Sequence, residues 1–121
     1  MSKTILVVED QEDNRQILRD LLSSAGYEMN EAGDGQEALA AVAKNRPDLI
    51  LMDIQLPIMD GYEATRRIKA DPKTRTIPIV VVTSYALSGD EAKAREAGCD
   101  AYVTKPYSPR QLLAKIKEFL P

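Results

Sequence analysis

The sequence predicts an α/β chain: one five-stranded parallel sheet, doubly wound as (βα)5. Three observations predict it. Short apolar, β-branched runs alternate five times with stretches of helical period. The connections between them are short, as right-handed βα crossovers require. Helix-start and helix-stop residues stand where one kind of segment gives way to the other.

Taken in order, Thr4 to Val8 is a β-branched run that ends abruptly in Glu9-Asp10. A helical pattern follows, with Ile17, Leu18, Leu21, Leu22 and Ala25 on one face and Gly26 as the C′ stop. Tyr27 to Ala32 carries Glu28, Asn30 and Glu31 and so reads as an edge strand. Asp34, with Glu37 three residues later, opens a helix that runs to Asn45. Leu49-Ile50-Leu51-Met52 is an apolar run of the kind covered on both faces, and it stops at Asp53. Asp60 and Glu63 open a helix that reaches Ala70, and Asp71-Pro72 closes it. Ile77 to Val82 is the strongest strand signal and ends in Thr83-Ser84. Ser88 and Glu91 make a capping box for a helix to Ala97, with Gly98 behind it. Ala101-Tyr102-Val103 is the fifth strand, ending near Lys105-Pro106. Ser108 as cap, Pro109 at N1 and Gln111 at N3 start the last helix, whose apolar face is Leu112, Leu113, Ile116, Phe119 and Leu120.

The 121 residues suit one domain, 1–121, with a single core. Apolar residues at 44% and charged residues at 29% match a globular protein rather than a disordered one. A formal net charge of −3 argues against nucleic acid, which wants a basic stripe. No apolar run is long enough to span a membrane, and the first residues lack a signal peptide's apolar core. Cys99 is the only cysteine, so no internal disulfide can form and a reducing, cytoplasmic location is expected. There are no histidines, which removes imidazole bases and most zinc sites. The chemistry must rest on carboxylates, hydroxyls and lysines.

Those residues are not scattered. Glu9, Asp10, Asp53, Thr83 and Lys105 each fall at or just past the C-terminal end of an apolar strand. In an open parallel sheet those ends line one crevice, where ligands bind. Three carboxylates gathered there repel one another and favour a cation. An all-oxygen set without His or Cys suits a hard ion such as Mg²⁺. A carboxylate can also act as a nucleophile and carry a phosphoryl group, with Mg²⁺ and Lys105 neutralising the transferred charge.

The ordered motifs resemble the response-regulator receiver domains of two-component signalling. They are Glu9-Asp10, Met52-Asp53-Ile54-Gln55-Leu56-Pro57 with Met59-Asp60-Gly61, Thr83-Ser84, and Tyr102-Val103-Thr104-Lys105-Pro106. Each is weak alone; together, in order from Thr4 to Leu120, they are very specific. The chain looks most like single-domain regulators of the DivK type and the receivers of hybrid sensor kinases. The resemblance implies a flavodoxin-like strand order, 2-1-3-4-5. It implies Asp53 as phosphoryl acceptor, and Mg²⁺ held by Asp10, by Glu9 mostly through water, by Asp53 and by the Gln55 carbonyl. Lys105 would pair with the phosphoryl oxygens across a cis bond to Pro106, and Thr83 and Tyr102 would form the switch. Gln55 and Tyr85 would tune the lifetime of the acyl phosphate.

The donor would be a histidine kinase or histidine phosphotransfer protein, and the chain would have no enzymatic turnover beyond loading and hydrolysis at Asp53. Nothing follows the last helix, so output is expected through a protein target on the Asp90–Phe119 face, from a monomer or weak dimer. Two origins stay open, a natural single-domain regulator, which Met1 favours, and a receiver excised from a longer chain.

Other readings compete. Gly33-Asp34-Gly35-Gln36-Glu37-Ala38 satisfies the G-x-G-x-x-A dinucleotide fingerprint, with Asp53 20 residues beyond Gly33. Its preceding strand is polar and edge-like, however, and no second mononucleotide half follows. A haloacid-dehalogenase-like phosphatase would want an Asp where Gln55 stands. A degenerate receiver that binds partners without phosphorylation is the remaining alternative.

Overall fold

The computed structural model describes residues 2–83 and 90–121. Among these residues five strands and five helices alternate: β1 (Thr4–Val8), α1 (Glu12–Ser24), β2 (Glu28–Ala32), α2 (Gly35–Lys44), β3 (Leu49–Met52), α3 (Gly61–Ala70), β4 (Ile79–Thr83), α4 (Asp90–Ala97), β5 (Ala101–Thr104) and α5 (Pro109–Phe119). All pairings are parallel, and the sheet order is β2-β1-β3-β4-β5. The predicted fold class and strand order are therefore observed.

The period of two along each strand splits the core into two layers. Leu6, Val8, Ile50, Met52, Ile79 and Val81 face one side, with Ala38 and Val42 of α2, Ala64 and Ile68 of α3, and Ala94 of α4. Their neighbours Ile5, Val7, Leu49, Leu51, Val80 and Val82 face the other, with Leu18 and Leu22 of α1 and Leu112 and Ile116 of α5. Nearly continuous apolar strands are what a sheet covered on both faces demands.

Local chemistry sets the boundaries. Asp34 and Asp60 cap α2 and α3, each accepting from the amide three residues on, and Ser108 with Gln111 closes the full capping box of α5. Gly26 and Gly98 take φ of 89° and 108° after α1 and α4. The first residue of the Ser88–Glu91 capping signal lies outside the described residues.

Several details depart from the expected elements: β2 begins at Glu28 rather than Tyr27, and α2 ends at Lys44 rather than Asn45. β4 begins at Ile79 rather than Ile77, because Pro78 has no amide to donate, although its carbonyl accepts from Ile50 at 2.9 Å. β4 and β5 each extend one residue further, to Thr83 and Thr104. Ile17, assigned to the buried face of α1, is 62% exposed. It lies about 100° round the helix from Leu18, outside the stripe centred on Leu18 and Leu22. Ala25 is likewise exposed, as the C-cap of α1.

Candidate functional site

The sheet itself delivers the polar residues. Ladder hydrogen bonds continue one residue past the strands: Glu9 N donates to Ala32 O at 3.0 Å, Asp53 N to Val8 O at 3.0 Å, and Lys105 N to Thr83 O at 2.8 Å. The backbones of Glu9, Asp53 and Lys105 are thus fixed at the C-terminal edge of β1, β3 and β5.

Their side chains meet. Carboxylate oxygens of Glu9, Asp10 and Asp53 lie within 4.8 Å of one another. Lys105 Nζ stands 3.0 Å from Glu9 Oε1 and 3.5 Å from Asp53 Oδ2. Asp53 Oδ1 accepts from the Ile54 amide at 2.7 Å, which orients the carboxylate. Glu9 is buried at 3% exposure, Asp53 is half-buried and Asp10 is exposed, so the cluster opens to solvent on the Asp10 side. Desolvation, with the hydrogen bond and charge of Glu9, holds the Asp10 carboxyl above its ordinary pKa. Burial pulls the Lys105 ammonium down, but the carboxylates of Asp53 and Glu9 outweigh it and its pKa is raised.

Thr83 is buried at the end of β4, in register with Thr104. Tyr102 is half-buried on β5 and packs on the α2–α3–α4 side of the core. Gln55 lies exposed in the loop after β3. The Lys105-Pro106 peptide bond is cis. Ser84 and Tyr85 lie outside the described residues.

Supports that the sequence reading did not name sit in the first turn of α1. Gln11 N donates to Glu9 Oε2 at 3.1 Å, Asn14 Nδ2 to Glu9 Oε1 at 3.4 Å, and Arg15 Nη1 to the Glu9 carbonyl at 2.6 Å. Arg15 also pairs with Glu12 and Glu31. The available signal was position, since the first turn of a helix that follows a strand end must pass over that end. Tyr107 is the other addition: burial raises its phenol pKa, against the pull of Lys105.

Gly61 shows how tightly Asp53 is framed. A Cβ there would stand 2.0 Å from the Asp53 carbonyl oxygen, so the start of α3 can press on Asp53 only as glycine. The other glycine motif has an equally local cause. Gly35 N donates to Met59 O at 3.1 Å, a Cβ on Gly35 would meet that oxygen at 2.3 Å, and Gly33 N is taken by Glu37 Oε1 at 3.1 Å. The amides that would cradle a pyrophosphate are spent on the chain itself, which disfavours the dinucleotide reading.

Three clustered carboxylate oxygens with no nitrogen or sulfur donor fit a hard dication such as Mg²⁺. No helix among the described residues is long and apolar enough to cross a membrane.

The chain is similar in sequence to the polar-differentiation response regulator DivK of Brucella anthropi, 45% identical over 120 residues that cover 99% of this chain and 98% of that one. Among solved structures it superposes on a response regulator from Chloroflexus aurantiacus with a TM-score of 0.95 at 35% identity, covering 99% and 98% of the two chains. The receiver domain of a sensor histidine kinase from Pseudomonas aeruginosa, determined with a magnesium ion coordinated in its active-site cleft, gives 0.92 at 36% identity, covering 99% and 98%. The family description "Response regulator receiver domain" matches residues 5–117. With the strand order, the acidic crevice and these likenesses together, the chain belongs to the response regulator receiver domain family of two-component signalling.

Proposed function

We propose that residues 1–121 form one receiver domain that works as a phosphorylation-operated switch in the cytoplasm, with Asp53 as the phosphoryl acceptor. The observation that carries this reading is the meeting of Glu9, Asp10 and Asp53 within 4.8 Å, with Lys105 Nζ 3.5 Å from Asp53 Oδ2. Asp10, Glu9, Asp53 and the Gln55 carbonyl would hold Mg²⁺, which supplies positive charge against the phosphoryl oxygens.

The chain's own groups do the rest. Asp53 Oδ1 is engaged by the Ile54 amide, which leaves Oδ2 to attack phosphorus. As the new O–P bond forms, the P–N bond of a donor phosphohistidine breaks. Lys105 then moves its charge from Glu9 and Asp53 to the phosphoryl oxygens. Thr83 follows with its hydroxyl, Tyr102 turns behind it, and the Asp90–Phe119 face presents a changed surface to a protein target. The donor is a histidine kinase or phosphotransfer protein, because this chain has no histidine. Hydrolysis of the acyl phosphate resets the switch, with no other turnover.

Intact mass after incubation with Mg²⁺ and a small acyl-phosphate donor tests the assignment. The wild type should gain one phosphoryl group, labile to hydroxylamine, and folded Asp53→Asn none. Normal loading of Asp53→Asn would overturn the site. No gain by a folded wild type, even from a phosphohistidine protein, would leave a binding module that works without phosphorylation.

A further inference from the structure

At the end of the sheet opposite Asp53, a cavity of about 570 Å³ opens between α2 and α3. Its floor is apolar: Leu39 and Val42 from α2, and Ile68 from α3. Its rim carries three cations, Arg46 after α2, Arg67 at the end of α3 and Lys73 in the α3–β4 connection.

The rim charges are poorly compensated. Among the described residues Arg46 is held across the mouth by neutral acceptors only, with Nη2 donating to Thr76 Oγ1 at 2.8 Å and Nε to Lys73 O at 3.5 Å. Arg67 shares Glu63 with Arg66. The one acid of the lining, Asp71, is turned to the backbone, where Oδ1 accepts from Lys73 N at 2.9 Å. Among the described residues neither Arg46 nor Lys73 forms an ion pair, and Arg46 Nη1 makes no hydrogen bond. A preset guanidinium with a spare donor, beside an ammonium and above an apolar floor, is complementary to one kind of ligand.

From this geometry we propose that the α2–α3 cavity binds a small amphipathic anion, an apolar body carrying a carboxylate or sulfonate head. The apolar body fills the space over Val42 and Ile68, and the head lies between Arg46 and Lys73. The volume is in the range of small-molecule sites, roughly 300–1,000 Å³. The site is separate from the carboxylate crevice, so the proposal does not depend on phosphorylation.

Anilinonaphthalene sulfonate, an aromatic body with one sulfonate, is the probe. Titrated into the full chain, it should bind saturably and one-to-one, with amide shifts in an ¹⁵N spectrum centred on Val42, Ile68 and Thr74. Arg46→Gln combined with Lys73→Gln removes both charge-assisted contacts and should weaken binding at least about tenfold. Ala43 is an exposed residue of the wall, so Ala43→Phe plugs the cavity without entering the core and should abolish binding. Arg66→Gln, outside the cavity, should change nothing. An unchanged urea midpoint keeps each variant interpretable. No saturation, shifts centred on Lys105, equal binding by Ala43→Phe, or equal affinity after loss of both cations would each overturn the proposal.

Discussion

Thr65 sits on α3 at 1% exposure, and its Oγ1 has no hydrogen-bond partner among the described residues. A buried hydroxyl without a partner loses its water and receives nothing back, so the isosteric hydrocarbon should be better there. Thr65→Val is expected to raise stability by about 1 kcal/mol, seen as a higher urea midpoint at unchanged slope. A lower midpoint would mean that Oγ1 finds a partner in solution. Gly61, four residues earlier, is the opposite case. Its Cβ position is already filled by the Asp53 carbonyl, so Gly61→Ala should cost about 1–3 kcal/mol and displace Asp53. Thermal unfolding and phosphoryl loading should fall together in that variant. The sequence shows Met59-Asp60-Gly61 as a pattern but not that Asp53 itself occupies the missing Cβ, because that contact joins residues brought together only by the β3–α3 turn.

Among elements, the far end of the sheet is held by one half-buried lysine. Lys69 Nζ at the end of α3 donates to Arg75 O at 3.0 Å, to Ile77 O at 2.8 Å and to Asp100 Oδ2 at 2.8 Å. The same Asp100 oxygen accepts from Ile79 N at 2.8 Å. Four pieces of chain, α3, its connection to β4, the start of β4 and the α4–β5 turn, close on that pair. Asp100→Ala strips a partner from both the ammonium and the Ile79 amide. It should cost about 1–3 kcal/mol, read as a lower melting temperature. Phosphoryl loading should survive in it, because Asp100 precedes β5 and Lys105 follows it. Neither residue was singled out from sequence: a lysine near a helix end and an aspartate after Gly98-Cys99 look like ordinary surface residues until the topology joins them. What was legible at this scale was whatever local chemistry decides, namely the caps of α2, α3 and α5, the polar edge strand β2 and the two-sided apolar β3. Ile17 misled because the face of α1 that packs is Leu18, Leu21 and Leu22, and only packing chooses which face turns inward.

Across the whole molecule, Glu9, Asp10 and Asp53 gather around Lys105 at the C-terminal ends of the strands, whereas Arg46 and Lys73, near the entry to β4, form no ion pair among the described residues. The acidic end has a thermodynamic consequence. Asp10 has a raised pKa, so the folded, metal-free chain disfavours its ionised form. Its contribution to stability is complete below the ordinary carboxylate pKa and is lost as pH rises through the raised value. Asp10→Asn removes that dependence and should be the more stable protein at neutral pH without metal. Mg²⁺ should reverse the order. In the proposed site it would bind the folded carboxylate cluster and not the dispersed chain, so at about a hundredfold excess over Kd it would add about 2.7 kcal/mol to the wild type. For a domain of this size that is a rise of order 10 °C in Tm. Asp10→Asn, lacking one carboxylate of the proposed site, should gain little. Melting both proteins in EDTA and in Mg²⁺ therefore yields a crossing pair of stabilities if Glu9, Asp10 and Asp53 act as one metal site. Equal Mg²⁺ gains in the two proteins would place the ion elsewhere.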